Sequence, residues 1–136
     1  MAADIQFAPE GKLPDGVSRI SVHLQADGYY WWLYWYFEAA SLPPRNAELI
    51  DLYDYSEISG YQLELLRREL VEARFDATQR PDEWRVVIGW EGGQVSAEAE
   101  RVSIVRKTEM LKVIDDLLFL VTTGLEHNVP VECIGD

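Results

Sequence analysis

One cysteine, Cys133, is too few for an internal disulfide. Two histidines, His23 and His127, lie on different predicted elements, and no pair of residues shows metal-ligand spacing. No apolar run is long enough to span a bilayer. The start, Met1-Ala2-Ala3-Asp4-Ile5-Gln6, has neither the basic segment nor the apolar block of a signal peptide. Positive charge is also scarce: 12 basic residues stand against 24 acids, a net charge of −12. A phosphate backbone needs a positive surface, so nucleic acid is disfavoured as a partner. These shortages together lead to the expectation of a cytoplasmic protein without membrane contact.

What the chain does have is enough apolar material for a core. Hydrophobic residues make up 48% of 136 residues, which predicts one domain, 1–136, able to fold without metal or disulfide. The acids are unevenly placed. Residues 20–60 hold six acids and one base, and residues 113–136 hold five acids and no Lys or Arg. Residues 61–112 are nearly balanced, with ten acids and nine bases. Solubility accounts for most acidic surfaces, and a basic partner facing the two acidic segments is the sharper reading.

Pro9, Gly11, Pro14 and Gly16 mark residues 1–17 as an irregular lead-in. Ile20, Val22 and Leu24 then alternate with polar residues, as in a half-buried strand. Asp27-Gly28 is a strong two-residue hairpin signal. The tract Tyr29 to Phe37 follows, with eight of the chain's 16 aromatics in nine residues. Aromatics favour strands, so a second strand is expected, although a run that is apolar all round also suits a buried helix. A turn at Asp27-Gly28 would pair Leu24 with Trp31, Val22 with Leu33 and Ile20 with Trp35, forming a core face. Tyr30, Trp32, Tyr34 and Tyr36 would then point outward, beside His23 and Arg19.

Pro43-Pro44 predicts a loop, with a short strand near Glu48–Tyr53. Ser59 and Gln62 have capping-box spacing. A helix over 60–77 would bury Leu63, Leu66, Leu70, Ala73 and Ala77. Trp84, Val86, Ile88 and Trp90 alternate as a strand, and Gly92-Gly93 would turn it so that Arg85 faces Glu100. Thr108 is the expected cap of a second helix over 109–127, with a stripe of Leu111, Ile114, Leu118, Val121 and Leu125, widened by Met110, Leu117 and Leu120. Val131–Ile134 is expected as an edge strand. The predicted fold is α+β, a mostly antiparallel sheet of two hairpins with two helices on one face, in the order β-β-α-β-β-α-β.

No catalytic kit emerges. Gly89, Gly92 and Gly93 lack the helix and Lys of a phosphate loop. Asp51, Asp54 and Glu57 lack the glycine and ligand order of a calcium loop. Cys133 reads as a buried, inert thiol beside Glu132. The expectation is therefore no enzyme, no cofactor and no metal.

Two features point to binding. The first is the outward aromatic face of Tyr30, Trp32 and Tyr34, since Tyr and Trp are common interface anchors. The competing reading is that a helix or the 39–58 segment covers it, because large exposed aromatic patches are uncommon on monomers. The second is the segment where Glu48, Asp51, Asp54 and Glu57 alternate with Tyr53 and Tyr55, against the alternative of a solvated loop with its rings tucked in. Phe119, among Asp115, Thr122 and Glu126, is a third hint.

A small, acidic, single-domain α+β chain without catalytic residues resembles bacterial immunity proteins, and Gly28-Tyr29-Tyr30-Trp31-Trp32 is suggestive of them. The resemblance is of size, charge and absent chemistry. It implies cytosolic capture of a cognate toxin, often a basic nuclease or another effector domain, and it carries over no site residues. Two other readings stay open: a small-molecule or enzymatic domain with an aromatic-lined cleft, and a homo-oligomer subunit joined through the aromatic face.

Overall fold

The computed structural model describes residues 1–41, 49–93 and 95–136. Its elements run β1 (Ala2–Phe7), β2 (Ser21–Gln25), α1 (Gly28–Ala39), β3 (Tyr55–Ile58), α2 (Tyr61–Thr78), β4 (Glu83–Trp90), β5 (Glu100–Arg106), α3 (Lys107–His127) and β6 (Val131–Gly135). The class is α+β, with a four-stranded antiparallel sheet in the order β2-β1-β6-β3 and a separate antiparallel pair, β4-β5. Among the described residues three helices stand where two were expected, so the β-β-α-β-β-α-β order does not hold.

The extra helix is the aromatic tract. Asp27 does not turn the chain back. Its backbone is extended and its Oδ1 accepts the Tyr29 N–H at 3.0 Å, which makes it an N-cap. Gly28 lies against β5: a Cβ there would sit 2.7 Å from Val105 Cγ2 and 2.9 Å from Ser103 Oγ. The glycine serves a close helix–strand approach rather than a hairpin. Tyr30, Leu33 and Phe37 are buried at helical spacing, and Ala40 continues the stripe. The hairpin pairs expected from Asp27-Gly28 are accordingly absent. Trp35, expected in the core, is 74% exposed, whereas Tyr30, expected outside, is 1% exposed.

The strand that β2 needs comes from the lead-in. Ala3, Ile5 and Phe7 are buried on one face of β1, which pairs with β2 through Ile5–Val22 and with β6 through Ile5–Cys133. Residues 1–17 are thus only partly irregular. Strand β6 is interior, flanked by β1 and β3, and not an edge. The strand expected near Glu48–Tyr53 lies later, at β3, and Glu48 and Pro43-Pro44 fall outside the described residues.

The stripe Leu63, Leu66, Leu70, Ala73 and Ala77 is buried on α2 as expected. The cap differs: Gly60, at φ 56°, precedes the helix, and the Ser59 side chain does not cap it. On α3 the buried face is Met110, Ile114, Leu117, Leu120 and Val121, so Leu111, Leu118 and Leu125 lie at its margin. Arg106 takes the N-cap position in place of Thr108. The β4-β5 turn is longer than a Gly92-Gly93 hairpin. Two short 3-10 turns, 91–93 and 97–99, shift the register so that Arg85 faces Ile104 and Trp90 faces Glu100. One apolar cluster joins the three helices to the inner face of the sheet.

Candidate partner-binding surface

Pairing across the sheet fixes what the helix-free face displays. One row reads His23, Asp4, Ile134, Tyr55, and the next reads Ser21, Gln6, Glu132, Glu57. None of these positions is Lys or Arg. Glu57 sits directly opposite Glu132, and like charges placed so disfavour each other. Both Glu132 oxygens are held: Gln6 Nε2 donates to one at 2.9 Å and the Tyr55 hydroxyl to the other at 3.2 Å. Glu132 is buried beneath these neighbours, while Tyr55 and Ile134 remain exposed. Desolvation raises the Tyr55 phenol pKa above its ordinary value, reinforced by the hydrogen bond to Glu132 and by the charges of Glu132, Glu57 and Glu10. Asp4 Oδ1 lies 2.8 Å from His23 Nδ1. The Arg19 guanidinium, at the end of the sheet, donates to the carbonyls of Ala8 and Gly11.

The segment before β3 continues this acidic surface and is firmly pinned. Leu49, Ile50 and Leu52 are buried. Ser56 Oγ donates to the Leu49 carbonyl at 2.6 Å, and the Tyr30 hydroxyl donates to that of Ile50 at 2.8 Å. Gly135 and Asp136 donate their backbone N–H groups to the carbonyls of Asp54 and Leu52, each at 2.9 Å. Gly135 has to be glycine, because a Cβ would come within 2.6 Å of the backbone of Leu52, Tyr53 and Asp54. Asp51 Oδ1 accepts the Tyr53 N–H at 2.8 Å, and Asp54 Oδ1 accepts that of Tyr55 at 2.7 Å. These acids therefore hold their own loop while facing outward, and Tyr53 is 62% exposed between them.

Of the sequence-predicted residues, Asp51, Tyr53, Asp54, Tyr55 and Glu57 come together here. Tyr30 does not, being part of the core. Trp32 and Tyr34 are half-buried on α1, where Trp32 meets Trp84 edge-on at 5.4 Å. Tyr36, expected outward with them, donates its hydroxyl to Asp76 at 2.6 Å, tying α1 to α2. Phe119 packs edge-on against Phe7 at 6.2 Å. Sequence reasoning missed Asp4, Glu132 and Ile134. The signal was present in the two-residue alternation of Ala2–Phe7 and Val131–Gly135, whose outward positions they occupy.

Cys133 is fully buried, and burial is the main cause that lifts its thiol pKa to about 11. Its Sγ donates to the Asp51 carbonyl at 3.6 Å. Among the described residues, no three His, Cys, Asp or Glu side chains gather in a way that could hold a metal ion, and no helix is long and apolar enough to cross a membrane. Compared with known proteins, the chain matches no family model, no curated protein and no solved structure.

Proposed function

We propose that this chain is a non-enzymatic binding protein of the immunity or inhibitor type, which captures a basic toxin or effector domain in the cytoplasm on its helix-free sheet face. The observation that carries the reading is the facing pair Glu57 and Glu132, with Asp4 one strand further on and no Lys or Arg at any outward position of the two central rows. A cationic partner would relieve that repulsion. The pinned 51–54 loop adds charge without needing to be ordered on binding, which lowers the entropic cost of association. Tyr53, Tyr55 and Ile134 supply the apolar contact that charges alone lack. The charges would mainly speed encounter and select the partner.

The test is capture from the native cytosol on the immobilised chain, set beside a variant carrying Asp4→Asn, Asp54→Asn and Glu57→Gln. The expected result is one basic polypeptide retained by the native chain, released by salt and lost in the variant. A retained partner that is acidic, or that the variant holds equally well, contradicts the reading.

A further inference from the structure

Four of the five tryptophans line one groove on the helix side of the molecule, with a volume of about 450 Å³. Trp31, Trp32 and Trp35 come from α1, and Trp84 comes from β4. Consecutive β4 residues from Trp84 to Val87 line its other side. Trp31 is 36% exposed and Trp35 74%, one helical turn apart, an open aromatic wall. Arg80 and Arg85 stand at the same groove. The Arg80 guanidinium lies over the Trp84 ring, 5.7 Å from its centroid. Neither arginine has a carboxylate within ion-pair distance among the described residues. In a chain with twice as many acids as bases, two guanidiniums without an ion-pair partner among the described residues at one aromatic groove are a departure. The Trp84 indole N–H is buried and has no acceptor among the described residues.

We propose that this groove binds a small planar anion, an aromatic ring carrying a sulfonate, carboxylate or phosphate group. Indole rings favour offset or edge-on contact with a second ring. Guanidinium forks match the oxygens of such anions and also stack on rings. The volume is that of a small-molecule site. The proposal concerns a different surface from the acidic sheet face, and either stands if the other fails.

The test follows the five indole N–H signals by NMR while naphthalene-2-sulfonate is added to the full chain. Two comparison probes separate the components: 2-naphthylmethylammonium, the same ring with a positive charge, and sulfate, the anion without a ring. The expected result is saturable movement of the Trp31, Trp32, Trp35 and Trp84 signals with a dissociation constant of about 1 mM or tighter, with Trp90 as the quiet reference. The two comparison probes should give no saturable movement. Both arginines are exposed, so Arg80→Gln with Arg85→Gln should keep the native spectrum and weaken binding by about tenfold or more. Absence of saturable binding, equal binding of the cationic probe, or an unchanged constant in the double variant overturns the proposal.

Discussion

Whether 28–39 acts as a helix or a strand can be decided energetically at three side chains. In a strand, Leu33, Trp35 and Phe37 would share a face and fall together on truncation. On α1 they do not. Leu33 is 0% exposed and Phe37 2%, but Trp35 is 74% exposed. Replacing Leu33 by Ala removes about three buried carbon groups, a transfer loss of roughly 2.4 kcal/mol at about 0.8 kcal/mol each. The void adds to that, because neighbouring elements close on it only in part, so a total of about 3–4 kcal/mol is expected. Phe37→Ala should lose about 3–5 kcal/mol for the same reason. Trp35→Ala gives up little burial and places the best helix former on an exposed turn, so its change should stay within about 0.5 kcal/mol. Urea melts of the three variants, read at constant slope, make the comparison. A Trp35→Ala loss as large as that of Leu33→Ala would refute the helical reading and the exposed aromatic wall with it.

Tyr30→Phe strands the Ile50 carbonyl that the Tyr30 hydroxyl serves and should destabilise by about 1–3 kcal/mol. A urea melt that shows less than about 0.5 kcal/mol contradicts that bond. Gly28→Ala should destabilise by about 1–3 kcal/mol despite the better helix propensity, because the new Cβ meets Val105 and Ser103, and a more stable variant in thermal melts would count against the packing. Cys133, with its thiol raised from 9.0 to about 11, holds its proton more tightly folded than unfolded. Its contribution to stability is complete below pH 9 and is lost as pH rises towards 11. A thiol reagent should therefore label the native chain slowly and the unfolded chain fast, and rapid native labelling at pH 8 would disprove burial. Asp51→Asn with Asp54→Asn keeps the Oδ1 acceptors of the loop, so stability should barely move, while association with the proposed basic partner should slow and lose part of its salt dependence. Tyr53→Ala should instead speed release, costing on the order of 2–4 kcal/mol of affinity if it is an anchor. Binding kinetics at low and high salt separate the two effects.

The sequence by itself determined whatever depends on local periodicity. The α2 stripe from Leu63 to Ala77, the strand alternation at Val22 and Leu24, the end of α3 near Asn128 and the α+β class all follow from side-chain spacing within one element. So does the 51–57 segment as an acidic, tyrosine-bearing stretch. The tertiary structure decided the rest where local signals are degenerate. Asp serves equally as a turn former and as an N-cap, and a tract apolar on every side has no period to read. The choice at Asp27-Gly28 therefore fell to long-range packing, with Val105 and Ser103 pressed against Gly28 and Ile50 accepting from Tyr30. Strand neighbours are equally non-local. Only the pairing of β1 and β3 with β6 brings Asp4, Glu57 and Glu132, up to 128 positions apart in the chain, onto one face.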